Sequence, residues 1–243
     1  MPPTTLKQLL GATPQLWKGQ RPNHSQRSLP SGHTRLDACL PGKGWPLGAV
    51  TELIARKPGL GEFSLLFPAL AEIGQRGQWL ILVDPPWIPY PAALHGHGLR
   101  LERLLLVRTQ SKKESLWACE QALRGHRGGA VLAWPERIAF SHLRRLQLAA
   151  HEHGNLAFLF RPERAAKAAS PAALRLQLEA GSQHSIRISV LKCRGSRPTE
   201  PTWIPQPYSA PYTGHMPAST APGVTPQSGI AGMDQPALST AMN

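Results

Sequence analysis

The chain has 243 residues, 41% hydrophobic residues and a net charge of +13. That length allows one ordinary domain plus appendages, and that apolar fraction is enough for a real core. The three cysteines, Cys39, Cys119 and Cys193, are scattered and form no CxxC pair, which fits buried thiols in a reducing cytosol better than a disulfide framework. The first residues, MPPTTLKQLLGATPQLWKG, lack the continuous apolar stretch of a signal peptide, and no run is long enough for a membrane-spanning helix, so a cytoplasmic protein is expected. The basic balance favours nucleic acid, anionic membranes or acidic protein surfaces as partners, or simply reflects an arginine-rich composition.

Residues 1–28 are polar, apart from a short amphipathic piece at Leu6, Leu9, Leu10 and Leu16 that reads as a helix packed on its own core or on a partner. From Leu29 to Gly195 the pattern is globular. Ala49–Ile54 reads as a strand, and Glu62–Arg76 carries apolar residues at helical spacing despite Pro68. Trp79–Asp84 and Leu104–Val107 are continuous apolar runs of the kind buried on both faces of a sheet. Glu114–Arg124 reads as a helix stopped by Gly125, and Ala130–Trp134 as a strand. Ser141–His153 is a helix capped by Gly154, followed by a strand at Leu156–Phe160. This alternation predicts a mostly parallel sheet with helices on its faces. The period then changes to two in Leu174–Glu179 and Ile186–Val190, which predicts a closing antiparallel hairpin. Residues 196–243 are rich in Pro, Ser, Thr, Gly and Ala, have no Lys or Arg after Arg197, and are expected to be disordered.

The run from Leu29 to Leu53 resembles the lead-in to a RecA-type ATPase core, with Gly32, Leu36, Asp37, Leu40, Gly44, Pro46, Gly48 and Glu52 at the matching positions. The resemblance covers residues 29–195 and ends at Leu191–Gly195, similar to the last strand of such cores. More narrowly, Pro58–Leu70, Trp79–Pro86 and Ala133–Glu136 resemble the ImuA family, RecA-like accessory proteins of bacterial mutagenesis cassettes that share ancestry with the SulA division inhibitors. The resemblance implies an α/β fold with a RecA-like core. It implies an adaptor in SOS-induced translesion synthesis and mutagenesis, with ImuB, an error-prone DnaE-type polymerase and RecA as partners. The alternative it leaves is a SulA-like inhibitor of cell division that binds FtsZ.

A working phosphate loop places Lys and Ser/Thr after its second glycine, for the phosphates and for Mg²⁺. Aligned on Gly61, Arg56 replaces the first glycine, Glu62 stands in place of the Lys and Phe63 in place of the Mg²⁺ ligand. A carboxylate repels a triphosphate, and a phenyl ring offers no oxygen to a hard cation. The strand at Ala130–Trp134 ends in Trp where a metal-coordinating Asp belongs, and Pro86 stands where a water-activating Glu belongs. A degenerate ATPase without cofactor is therefore expected. A functional ATPase with an unorthodox phosphate site, using Lys57 and the open turn at Gly59 and Gly61, stays as a third reading.

Lys192 and Arg194 form a Lys-x-Arg element that either contacts a partner or phosphate group or is a solvated strand end. Arg144 and Arg145, with Lys112, Lys113, Arg124, Arg127, Arg161, Arg164 and Lys167, form basic patches suited to weak backbone contact with DNA, to an acidic protein face, or simply to solvent. His95/His97 and His151/His153 read as surface histidines rather than a metal site, because no third ligand accompanies either pair. Trp87–Tyr90 is an apolar loop cluster expected to help fill the lost nucleotide pocket.

Overall fold

A computed structural model describes residues 27–40, 42–56, 59–181, 185–194 and 200–205. The amphipathic piece at residues 6–16, Lys57, and the expected tail beyond residue 205 lie outside the described residues. The elements run β1 (Ser28–Leu29), α1 (Thr34–Cys39), β2 (Trp45–Pro46), β3 (Ala49–Ala55), α2 (Phe67–Gln75), β4 (Leu80–Val83), α3 (Pro91–Gly96), β5 (Leu104–Val107), α4 (Lys112–Gly125), β6 (Ala130–Ala133), α5 (Phe140–His153), β7 (Leu156–Pro162), β8 (Leu174–Ala180), β9 (Ser185–Cys193) and β10 (Thr202–Pro205).

Eight strands form one mixed sheet in the order β10-β9-β8-β3-β7-β6-β4-β5. From β8 to β5 every neighbouring pair is parallel, while β9 and β10 add antiparallel. This is an α/β fold, and β8–β9 is the expected hairpin. The pleat sends alternate residues of each central strand into two separate cores. Leu80 and Leu82 of β4 join α1, α2 and the hairpin on one face. Ile81 and Val83 join Leu123 of α4 and Leu143 and Leu146 of α5 on the other. A strand covered on both sides has no polar face, which is why WLILVD carries no alternation.

Local chemistry sets the helix ends. The Ser111 hydroxyl accepts from Glu114 N at 3.2 Å, and Glu114 Oε2 accepts from Gln110 N at 3.0 Å, a near-reciprocal cap that starts α4. Gly154 ends α5 at φ +70°, a left-handed cap position open to glycine at little cost. Gln147 of α5 is buried because its amide serves β3: Oε1 accepts from Val50 N at 3.0 Å and Nε2 donates to Gly48 O at 3.3 Å. In the β1–β2 lead-in, a Cβ on Gly44 would lie 2.2 Å from Leu29 O, so only glycine allows this backbone approach.

The structure corrects four expectations. The predicted helix over Glu62–Arg76 begins later, with a 3-10 turn at Ser64–Leu66 leading into α2 at Phe67. Pro68 sits in the first turn of that helix, where its missing N–H costs nothing. The apolar run Leu104–Val107 is an edge strand, with Leu105 46% and Leu106 40% exposed, not a doubly buried one. Part of the segment expected to be disordered, Thr202–Pro205, is a strand paired with β9, anchored by the buried Ile204. Trp87, Ile88 and Tyr90 are all exposed, so this cluster does not fill the space beside the loop.

Candidate functional site

The site lies at the carboxyl ends of the parallel strands, where ligands of open α/β sheets bind. A cavity of about 290 Å³ opens there between the ends of β3 and β7 and the segments following β4 and β6. Leu53, Phe160, Trp134 and Pro86 supply its apolar wall, and Arg161, Glu62, Arg56 and Arg164 its charges.

The loop between β3 and α2 forms one side. Gly59 and Gly61 have φ of +91° and +83°, conformations that a side chain disfavours, so the turn between β3 and α2 does require its glycines. Glu62 is buried, and its Oε1 accepts a hydrogen bond from Gly59 N at 2.9 Å. The chain's own carboxylate thus takes a loop N–H of the type that cradles phosphate in phosphate-binding loops. It does so by folding back on the loop rather than by standing at the first turn of α2. Phe63 packs edge-on against Phe67, with centroids 5.1 Å apart, and against Trp134 at 6.4 Å. Trp134 stacks on Phe160 at 4.6 Å and an interplanar angle of 7°. The end of β6 is therefore an aromatic wall.

Asp84 follows β4 at φ +48°. Its Oδ1 accepts from Thr109 N at 2.8 Å and its Oδ2 from Thr109 Oγ1 at 2.6 Å, which ties the ends of β4 and β5 together. Burial pushes this carboxyl up, but the Thr109 hydroxyl and N–H, Ser115 and the Arg108 charge outweigh it, so its pKa sits below the usual value.

Behind the cavity lies a charged group that the sequence did not single out. Arg175 on β8 donates through Nε to Glu52 Oε2 at 2.7 Å, and through Nη1 to Ala168 O at 3.1 Å. Arg161 on β7 brings Nη1 to 3.9 Å from Glu52 Oε1. All three side chains are at least nine-tenths buried. Burial draws the Arg161 guanidinium below its ordinary pKa, with Glu52 opposing the shift and Arg175 and Arg164 adding to it. Glu52 belonged to the lead-in motif, but Arg161 and Arg175 lie over 100 residues away, joined to it only by strand order.

The other expected site residues do not converge here. Arg56 is an exposed residue at the cavity rim. Lys192 Nζ donates to Ser170 O at 2.6 Å, and Arg194 is exposed at the end of β9. Arg144 is exposed on α5, while Arg145 pairs with Glu120 of α4 at 2.5 Å. His97 stacks on Phe67 at 4.2 Å, and His151 and His153 lie in the last turn of α5.

Residues 48–157 match the protein family described as cell division inhibitor SulA. Individual relatives agree. The cell division inhibitor SulA of Photorhabdus laumondii is 30% identical over 114 residues, 47% of this chain and 64% of that protein. The SulA of Edwardsiella piscicida is 28% identical over 106 residues, 44% and 63% of the two chains. That of Serratia marcescens is 26% identical over 119 residues, 48% and 70% of the two. The chain thus spans a little under two thirds of the length of the first two relatives. The chain is an α/β protein similar to SulA cell division inhibitors over residues 48–157. Among the described residues no helix is long and apolar enough to cross a membrane.

Proposed function

We propose that this chain is a non-catalytic binding protein of the SOS response that acts in the cytoplasm, as an inhibitor of cell division in the manner of its SulA relatives. The match over residues 48–157 carries this reading. The geometry supports binding rather than hydrolysis: Glu62 holds the loop N–H, Phe63 packs on aromatic rings, and Asp84 is committed to Thr109. The uncovered edge strand β5, with Leu105 and Leu106 exposed, is the kind of surface that takes a protein partner. FtsZ is the partner this reading names. Overexpression of the chain makes cells filamentous, and purified chain retains FtsZ on a column, if the reading is right. Cells of normal length and no retention sink it.

A second reading is an adaptor for lesion bypass beside ImuB and an error-prone DnaE-type polymerase, with RecA as a further partner. What favours it lies largely outside the matched segment: the β1–β2 lead-in with Gly32 and Gly44, and the hairpin β8–β9, whose Arg175 bridges back to Glu52 of β3. Together with a phosphate-loop-like turn directly after a central parallel strand, these support a scaffold derived from RecA. Capture of ImuB under conditions where FtsZ is not retained decides for this reading.

A further inference from the structure

The pair of helices α4 and α5 carries a second surface, used neither by the cavity at the strand ends nor by the β5 edge. Lys113, Leu116, Trp117 and Glu120 lie at i, i+3, i+4 and i+7 and so share one face of α4. His142, Arg145 and Leu146 share one face of α5 in the same way. The two faces line one furrow of about 480 Å³. Leu116, half-buried, and Leu146, buried, give it an apolar floor. Trp117 in the same lining is 63% exposed. An open Trp ring in the wall of a groove is the kind of side chain that anchors a protein interface.

The charge of the furrow is one-sided. Glu120 is its carboxylate, and it is shared by Arg124 at 3.1 Å and Arg145 at 2.5 Å. Two guanidinium groups on one carboxylate leave positive charge over. Lys112 and Lys113 add to it, and among the described residues neither makes an ion pair or a side-chain hydrogen bond. Both occupy the first turn of α4, directly after the Ser111 cap. The positive end of the helix macrodipole lies there and disfavours cations. Folding of α4 gains nothing from lysines at these positions, whereas an anionic partner does.

We propose that the α4–α5 furrow docks an acidic amphipathic helix of another protein. The apolar face of that helix packs on Leu116, Trp117 and Leu146, and its carboxylates meet Lys112, Lys113 and Arg145. This is the helix-in-groove mode of recognition. The chain's own ends do not supply the acids: residues 1–26 contain no Asp or Glu, and residues 206–243 contain only Asp234. A second copy, with the same net charge of +13, is repelled. A nucleic-acid strand fits less well. Among the described residues Trp117 is the one large aromatic ring in the lining, and successive bases need successive platforms. The furrow is separate from the β5 edge, so the proposal does not depend on FtsZ being the partner there.

Fluorescence anisotropy of a labelled peptide titrated with the full-length chain tests this. The probe is two copies of the heptad Glu-Leu-Glu-Glu-Leu-Leu-Glu, which as a helix is about 21 Å long with one leucine face. Saturable binding that weakens as salt rises is expected. The same peptide with Lys for every Glu should not bind. An acidic peptide of equal composition with its leucines shuffled off a common face should bind at least tenfold more weakly, and so should labelled oligothymidylate. Lys112→Glu with Lys113→Glu should weaken the probe at least tenfold without lowering the melting temperature, because acids suit a helix start. Arg27→Glu with Lys43→Asp makes the same charge change on exposed positions of the β1–β2 lead-in and should alter binding by less than about twofold. Trp117→Ala should also weaken the probe at least tenfold; should it fail to fold, the lysine double variant decides. The proposal is overturned by no binding of the acidic probe, equal binding of the shuffled peptide (charge alone), tighter binding of oligothymidylate (a nucleic-acid site), or an equal loss in the lead-in variant and the lysine variant. Undiminished binding by the lysine double variant overturns it as well.

Discussion

Glu52 and Arg175 are register partners on adjacent parallel strands, and their side chains meet at 2.7 Å with almost no exposure to solvent. Side chains directly opposite in a sheet interact, and here burial raises the stakes of the contact. Removing one member of a buried ion pair leaves the other charge unpaired, at a cost of about 3–5 kcal/mol. Glu52→Ala and Arg175→Ala should each lower urea-unfolding stability by about that much. The double variant should cost clearly less than the sum, with a coupling above about 1 kcal/mol. Additive losses would mean that the two side chains act independently.

The loop at Glu62–Phe63 should resist repair. Glu62→Lys with Phe63→Ser restores the side chains a phosphate loop needs. Asp84 still serves Thr109, and Trp134, directly after β6, stands where a phosphate-loop ATPase would carry a metal ligand. The double variant is therefore expected to release no phosphate from ATP and Mg²⁺ above background. Phe63→Ala alone should cost about 2 kcal/mol, less than a full core Phe because the ring is only half-buried. Rapid hydrolysis by the repaired loop would show that the remaining machinery had survived.

Asp84 sets an acid-side dependence. Its folded pKa is lower than its unfolded one, so its contribution to stability is complete above the unfolded value, near 3.9, and fades as pH falls through the folded value. Asp84→Asn tolerates the left-handed backbone at this position and lacks the charge. The variant should be less stable than wild type at pH 7, and the gap should close as the pH drops from about 4 downwards. Unfolding curves between pH 2 and pH 7 measure it, and a gap that stays constant contradicts the assignment.

Much of this fold was legible in the sequence where the periodicity was strong. The runs at Ala49–Ile54, Trp79–Asp84 and Leu156–Phe160 are strands because no other element buries apolar residues without a polar face over so short a length. Leu104–Val107 has the same look but a different place. Composition does not say whether a strand has a neighbour on both sides, and among the described residues β5 pairs only with β4. The strand at Thr202–Pro205 was hidden in proline-rich surroundings; it holds because Ile204 reaches the hairpin core and Arg187 lies over the Trp203 ring at 5.9 Å. At the site, the departure of Glu62 and Phe63 from a phosphate-loop pattern was visible, but not what these two side chains do. Arg161 was legible only as a member of a basic patch, where the structure instead buries it beside Glu52, and Arg175 gave no signal, because their partner is 109 and 123 residues away and only the sheet order joins them.

The cysteines should behave as buried thiols. Burial, with the Asp84 charge adding to it, pushes Cys119 up to about 12, and burial pushes Cys193 up to about 11. The thiolate is the reactive form, so at pH 8 both should label with iodoacetamide far more slowly in the folded chain than in urea. Mass mapping of the labelled positions checks this, and fast labelling of Cys119 in native buffer would mean that its cover opens readily.

The edge strand β5 separates a binding role from a purely structural one. Leu105 and Leu106 gain little from their partial burial, so replacing Leu106 by Lys should change stability by less than about 1 kcal/mol. A lysine on an edge strand is also the usual device against strand-to-strand association. If the partner docks on this edge, the same change should cut FtsZ retention at least tenfold while the melting temperature stays put, since a central apolar contact is commonly worth more than about 1.4 kcal/mol. Arg144→Glu on the exposed side of α5 serves as the charged control on another face and should leave retention unchanged. Loss of retention in the control but not in Leu106→Lys would move the interface from the sheet edge to the basic helix face.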